Sequence, residues 1–203
     1  PEAIRGRCCE EFERLYEMSD YIHHAMPRNK KDADLPKAVA RANVLLLSKG
    51  ITSIQDASSS NDLARWQTFL ELKKEGRLTP RTTIMMGASH TDAFLEAGLP
   101  SRRGDTGIGA VKVMLTLTTG ALNPPVEELR ATVLRAHENG LQVAIHAVEE
   151  EAVKAAMDAV AKHAPRWFQL YWPKSDALAE SLVARAEACG CEALVVTLDT
   201  TLL

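Results

Sequence analysis

The chain has 203 residues, of which 46% are hydrophobic and 25% charged, and its formal net charge is -3. This length suits one domain or a piece of a larger one, and the composition is that of an ordinary globular protein. The lack of a basic excess argues against nucleic acid as a partner. No apolar run approaches the roughly 20 residues of a membrane helix, so we expect no membrane partner either.

The four cysteines form two close pairs. Cys8 and Cys9 are adjacent, and Cys189 and Cys191 flank Gly190. Neither pair has the C-x-x-C spacing of a zinc or redox site. We therefore expect reduced thiols and a cytoplasmic location.

The first part of the sequence predicts two helices. From Glu2 to Ala25, apolar residues recur near helical spacing, which is typical of an amphipathic helix. A polar loop follows from Met26 to Pro36. The stretch LPKAVARANVLLLSKG then predicts a second helix that ends at Gly50.

From there, short apolar runs rich in β-branched residues alternate with helical patterns. The runs are nearly continuous in apolar residues, as in strands that are buried on both faces. The helical patterns between them end in glycine, the residue preferred just beyond a helix C-terminus. We expect the six strands to end at Asp56, Ala88, Leu115, Ala147, Trp172 and Asp199.

This alternation predicts an α/β fold with a parallel sheet. Polar residues come at or just after the predicted strand ends, which is where barrel enzymes carry their chemistry. We therefore favour a partial (β/α)8 TIM-barrel-like fold of about six parallel βα units with an N-terminal helical segment, over a doubly wound sheet. Six strands cannot close like eight, so we expect exposed sheet edges that allow homo-oligomers. The polar residues are Asp56, His90, His146, Tyr171 and Asp199.

Two residues on successive predicted strands suggest metal chemistry. His146 comes near the end of the run LQVAIHA, where a neutral imidazole is a good zinc ligand. Judged on the residue alone, a core or loop histidine without metal is the preferred interpretation. Lys112 lies inside the apolar run AVKVML, where an unpaired ammonium is costly. An ion pair, an outward-reaching side chain or carbamylation by carbon dioxide would each resolve that cost.

Residues 35–162 resemble the amidohydrolase superfamily, and more narrowly its amidohydrolase family 3 type. The resemblance is carried by GITSIQDAS, LARWQTFLELKKEGRLTPR and PPVEELRATVLRAHENGLQVAIHA, together with Lys112 and His146. It implies that His146 is the fifth-strand metal ligand and Lys112 the position that many members carbamylate, with His90 as a further candidate. A divalent metal, zinc first, would activate water to attack an amide or cyclic amide of a small-molecule substrate.

Residues 164–203 resemble a different family, the FMN-dependent α-hydroxy-acid dehydrogenases and oxidases, near their lactate monooxygenase branch. WFQLYWPK and LVVTLDT carry this resemblance. It implies that Gln169 and Thr197 contact FMN, that Tyr171 binds the substrate or an intermediate, and that Asp199 orients a catalytic histidine. Without the resemblance, the aromatic residues of this stretch would be read as ordinary core: Trp167, Phe168 and Trp172.

The two resemblances predict an amidohydrolase-like partial barrel at 1–163, joined near 162–165 to an oxidase-like βαβ segment at 164–203. Because the first covers more residues, we expect a metal-dependent hydrolase of amide bonds. An FMN-dependent α-hydroxy-acid oxidoreductase fragment is one alternative. A non-catalytic chimeric or truncated chain is another, because the first-strand His-x-His pair of amidohydrolases has no counterpart in this sequence. Whether the chain is an enzyme by itself is left open.

Overall fold

The structure is a computed structural model that describes residues 8–9, 14–15, 35–98, 102–117, 120–160 and 165–197. The chain forms two compact units, Pro1–Ala156 and Met157–Leu203. No helix in the described ranges is long and apolar enough to cross a membrane.

The N-terminal region differs from the helix expected between Glu2 and Ala25. Strand β1, Cys8–Cys9, pairs antiparallel with β2, Arg14–Leu15. The rest of that expected helix lies outside the described residues. Short apolar runs fit either the helical or the strand period, which is why spacing misled us here. The second expected helix is confirmed as α1, Leu35–Ser48.

Four parallel strands with intervening helices form the rest of the first unit. The elements are β3 Ser53–Asp56, α2 Leu63–Lys74, β4 Arg81–Gly87, α3 Thr91–Glu96, β5 Arg102–Arg103, β6 Thr106–Met114, α4 Val126–Glu138, β7 Val143–His146 and α5 Glu150–Ala159. The parallel strands lie in the order β3, β4, β6, β7, and the two-residue β5 adds an antiparallel pairing to β6. The boundary between the two units falls within α5.

The order of these strands confirms the partial TIM-barrel-like fold. The four parallel strands follow one another in chain order, as strands do around a barrel. A doubly wound sheet would instead reverse its strand order at a switch point. The sheet is therefore curled like half of a barrel, and its strands share one carboxyl-terminal edge.

The core of this unit lies between the sheet and its helices. Alternate residues of β4 are buried on the helix side, whereas most of their neighbours on the opposite face are half-buried or exposed. In β6 the buried residues do not alternate in this way, and its register with β4 shifts between Ile84 and Met86. Helices α2, α3 and α4 each insert an apolar side chain among them. The central cluster is Trp66, Ile84, Met86, Phe94, Val111 and Ala136.

The second unit is a parallel βαβ segment. Strand β8, Trp167–Tyr171, pairs with β9, Ala193–Thr197, and helix α6, Asp176–Ala188, connects them. Ser175 is the N-cap of α6, and its hydroxyl accepts a hydrogen bond from the backbone N–H of Leu178. The most buried side chains of this segment are Leu170, Ala179 and Ala186.

All six strands expected from the sequence are present, and the first five end at or within one residue of the expected position. The last expected end, Asp199, lies outside the described residues. Within the described ranges β3 has one strand partner, β4. Homo-oligomers formed through an exposed sheet edge remain a prediction.

Candidate functional site

Candidate residues lie at the carboxyl-terminal edge in both units. Asp56 is the last residue of β3, His146 of β7 and Tyr171 of β8. His90 ends the short 3₁₀ turn that follows β4. The sequence pattern therefore placed these residues at the ends of strands correctly, although placement alone does not assign their chemistry.

Lys112 and His146 share the open face of the first sheet. Lys112 pairs with Ala144 on the neighbouring strand, and His146 pairs with Met114, so the two side chains are offset by two residues on the same face. Burial lowers the pKa of Lys112. Within the described residues no carboxylate forms an ion pair with Lys112, which was the simplest expectation for this lysine.

The metal site expected from Lys112, His146 and His90 gains no support from this arrangement. Across the described part of the chain, no three or more histidine, cysteine, aspartate or glutamate side chains come together as a metal site would require. A catalytic zinc site normally has three protein ligands. Zinc is therefore an unsupported cofactor for this chain.

Asp56 organises the loop that follows β3. Its Oδ1 accepts hydrogen bonds from the backbone N–H of Ser58 at 2.8 Å and from Nδ2 of Asn61 at 3.1 Å. Burial by itself would raise the pKa of Asp56, but these hydrogen bonds and the charge of Arg65 outweigh it and hold the pKa below its usual value. These contacts give Asp56 a structural role in the loop.

Asn61, which the sequence analysis missed, links this loop to β4. Its side chain donates to the backbone oxygen of Met85 at 2.9 Å, and its own backbone oxygen accepts from Gly87 at 2.9 Å. Its side chain is buried, with 1% of its surface exposed. A buried asparagine needs such partners, but nothing in the sequence distinguishes it from a surface loop asparagine.

In the second unit, Gln169 and Thr197 meet across the two strands. The side-chain Nε2 of Gln169 donates to Oγ1 of Thr197 at 2.8 Å. The register pairs Gln169 with Val195 and Tyr171 with Thr197, so all four side chains project from the same face of the β8–β9 pair. Two polar residues predicted to act together are thus brought into direct contact.

The face that carries Gln169 also presents aromatic side chains. Trp167 is 72% exposed and Tyr171 is 53% exposed, and Trp172 just beyond the strand is exposed as well. The reading of Trp167 and Trp172 as ordinary core is therefore wrong, because alternation along β8 directs Trp167 away from the helix-packed side and Trp172 follows the end of the strand. The fourth oxidase-type residue, Asp199, lies outside the described residues.

Comparisons with known proteins support one of the two resemblances. Residues 119–203 match the family model described as FMN-dependent dehydrogenase. An L-lactate oxidase of Lysinibacillus sphaericus is 38% identical over 78 residues, which is 33% of this chain and 20% of that protein. An FMN-dependent alpha-hydroxy acid dehydrogenase of Schizosaccharomyces pombe is 52% identical over 40 residues, or 19% of this chain and 10% of that protein. No solved structure matches the chain significantly.

The FMN-dependent dehydrogenase match corrects the expected metal-dependent hydrolase. It starts at residue 119 and so includes α4 and the strand that carries His146, which we had attributed to an amidohydrolase. The comparisons give no support to the amidohydrolase resemblance over residues 35–162. Barrel families share apolar strands, amphipathic helices and glycine-ended helices, so these features alone could not tell one family from the other.

Proposed function

We propose that this chain contributes to an FMN-dependent α-hydroxy-acid oxidoreductase of the lactate-oxidising type. The observation that carries the proposal is the contact between Gln169 and Thr197, which lies within the segment that matches the FMN-dependent dehydrogenase family. The chain spans about a fifth of the length of one relative and a tenth of the other. The activity and substrate of the whole enzyme are therefore part of the proposal.

The residues on the β8–β9 face fit the polar edge of a flavin ring. A glutamine amide and a threonine hydroxyl together offer both donors and acceptors, which the ring's carbonyl and imide groups require. The amide of Gln169 is exposed and still has one N–H and its carbonyl oxygen available beside the contact with Thr197. When bound, FMN would accept the hydride equivalent that leaves the α-carbon of a hydroxy acid.

Tyr171 is suited to hold the substrate at the same edge. Its register partner is Thr197, and its phenol is exposed at the carboxyl-terminal end of β8. A phenol O–H can donate to the carboxylate of an α-hydroxy acid and so orient the carbon that is oxidised. We propose that Asp199 orients a histidine that removes the hydroxyl proton, and that its carboxylate stabilises the positive charge which this histidine then carries.

Titration of FMN into the purified chain tests this assignment, with quenching of the flavin fluorescence as the readout. We expect saturable binding that weakens at least about fivefold, or roughly 1 kcal/mol, in Gln169→Ala and in Thr197→Val. Gln67→Ala, which removes an exposed glutamine from α2, is the matched control and should bind FMN like the unaltered chain.

Turnover provides the second readout of the proposal. Reduction of an artificial electron acceptor with L-lactate or a longer 2-hydroxy acid should fall in Tyr171→Phe more than FMN binding does, because the phenol acts on the substrate. Equal FMN binding by the unaltered chain and all variants would contradict the proposal. Absence of FMN binding would also contradict it and would favour a non-catalytic chain.

A further inference from the structure

Lys112 carries an amine that the proposed flavin chemistry does not use. The residue is partly buried within β6, on the open face of the first sheet. Among the described residues no carboxylate forms an ion pair with it. A lysine in such surroundings shifts toward its neutral form, and the neutral amine is a nucleophile that reacts with carbonyl compounds.

The strand residues around Lys112 have small side chains or none. Its register partners are Gly87 on β4 and Ala144 on β7. Alternation along β4 places Thr83 on the same face as Gly87. Gly109 of β6 shares this face, because a Cβ there would lie 3.1 Å from the side chain of Thr83. The lysine is therefore surrounded on its own sheet by positions that carry at most a methyl group.

A backbone wall closes one side of this space. The backbone oxygen of Ser59 lies against the place that a Cβ on Gly87 would occupy. The loop that carries Ser59 is held to β4 by a hydrogen bond from the backbone N–H of Gly87, 2.9 Å long. The recess beside Lys112 is thus bounded by the loop on the β4 side and extends toward Gly109 and Ala144. Burial in this recess lowers the pKa of Lys112, so more of its amine is neutral than in an exposed lysine.

We propose that Lys112 is a covalent binding site for a small neutral aldehyde, which it holds as an imine. The Nζ nitrogen attacks the carbonyl carbon and forms the C–N bond, and a proton moves from nitrogen to oxygen. The C–O bond then breaks, water leaves, and the C=N bond of the imine remains. The step needs no oxidant or reductant.

The charges on this face favour a neutral aldehyde over a carbonyl compound that carries a carboxylate. A carboxylate would call for a second permanent cation near Lys112. On the described strands of this face that cation is Arg81, which bonds to Ser53 at the opposite end of the sheet. Arg81 lies six residues before Gly87 on β4, or about 20 Å away along the strand.

This proposal and the proposed flavin site can fail independently. The recess is built from residues of the first unit, whereas the flavin assignment depends on Gln169 and Thr197 in the second. Imine formation at Lys112 requires no FMN, so it is measured on the purified chain without the cofactor.

Reductive trapping with butanal and cyanoborohydride at neutral pH tests the site, with peptide mass spectrometry as the readout. We expect Lys112 to be alkylated at least about threefold faster than the exposed Lys49, because more of its amine is neutral. The rate at Lys112 should also saturate as the butanal concentration rises, whereas the rate at Lys49 should stay linear. Alkylation of Lys112 that is no faster than that of Lys49, or that never saturates, would overturn the proposal.

A variant that fills the recess tests its geometry. Ala144→Leu should slow the alkylation of Lys112 at least about fivefold, because the larger side chain takes the space beside the amine. Ala42→Leu, on the exposed side of α1, is the matched control and should leave the rate unchanged. Equal rates in the two variants would show that the recess does not hold the aldehyde. The saturation experiment uses the unaltered chain, so it still decides the question if Ala144→Leu fails to fold.

Glyoxylate, an aldehyde that carries a carboxylate, tests the choice of a neutral ligand. The rate at Lys112 divided by that at Lys49 removes the difference in intrinsic reactivity between the two aldehydes. We expect this ratio to be higher for butanal than for glyoxylate. A higher ratio for glyoxylate would overturn the assignment to a neutral aldehyde.

Discussion

Gln169 on β8 reaches diagonally to Thr197 on β9, with 2.8 Å between its amide nitrogen and the hydroxyl oxygen. The direct register partner of Gln169 is Val195, two residues earlier on β9. Diagonal contacts of this kind orient long side chains on a sheet face. Here the contact turns one amide N–H toward the hydroxyl and so fixes the orientation of the whole amide group.

Thr197→Val should change stability little, even though it breaks this contact. The pair is exposed, so its loss should cost at most about 1 kcal/mol of the free energy of unfolding. Leu170→Ala in the neighbouring strand should cost about 2–5 kcal/mol, because Leu170 is only 2% exposed and its truncation leaves a cavity. Urea denaturation followed by circular dichroism measures both. A large loss in Thr197→Val would mean that the contact is structural.

Asp56→Ala should destabilise the first unit by about 1–2 kcal/mol at neutral pH, because it removes the acceptor for Ser58 and leaves a buried asparagine with fewer partners. Asp105→Ala, in an exposed loop before β6, is the control and should change stability by less than about 0.5 kcal/mol. Urea denaturation at neutral pH gives both values.

The contribution of Asp56 should also depend on pH. Its pKa is lower in the folded than in the unfolded state, so its stabilising effect is complete above the unfolded pKa of about 3.9. The effect is lost as the pH falls through the lower folded pKa. The stability difference between the unaltered chain and Asp56→Ala should therefore shrink in acid. A difference that grows on acidification would contradict the hydrogen-bonding role.

Gly87→Ala should be far more damaging than Gly109→Ala. A Cβ at Gly87 would collide with the backbone oxygen of Ser59, which belongs to the loop held by Asn61 and cannot easily move. A Cβ at Gly109 would meet the side chains of Thr83 and Gln55 at 3.1 and 3.3 Å, which can shift. We expect a cost of about 1–3 kcal/mol or more at Gly87 and less at Gly109, measured by urea denaturation. Equal costs would show that the loop adapts.

Lys112→Met should stabilise the first unit at neutral pH, because it replaces a partly buried ammonium with an apolar chain of similar length. Burial makes the pKa of Lys112 lower in the folded state, so the unfolded state binds more protons between the two pKa values. The unaltered chain should thus gain stability as the pH rises through that interval, whereas Lys112→Met should not. Thermal melts at several alkaline pH values measure this, with Lys49→Met, on an exposed residue, as control.

The sequence predicted the strands better than the chemistry. Each buried strand carries its own apolar run, and the glycines after the helices mark where the chain turns, so the parallel βα order could be read directly. Between Glu2 and Ala25 the same spacing argument failed where β1 and β2 form, because two-residue strands are too short to show a period.

The candidate site was predictable only where several characteristic residues stand close together in a short motif. WFQLYWPK and LVVTLDT placed Gln169 and Thr197 on adjacent strands, and the structure joins them by a hydrogen bond. The roles given to these residues, and to Tyr171 and Asp199, are still predictions. Lys112 within β6 and His146 at the end of β7 suggested a metal site. Polar residues in these positions serve many barrel chemistries, so two of them do not identify one. The contacts of Asn61 depend on tertiary neighbours that no local pattern encodes.

The bridging of Asn61 between its own loop and β4 has a consequence for hydrogen exchange. The amide proton of Gly87 is bonded to the backbone oxygen of Asn61, and the side-chain amide of Asn61 is enclosed between Asp56 and Met85. None of these protons can reach solvent unless the loop after β3 detaches from β4. Their exchange rates therefore report the opening of this edge of the sheet, as distinct from fraying at the end of either strand.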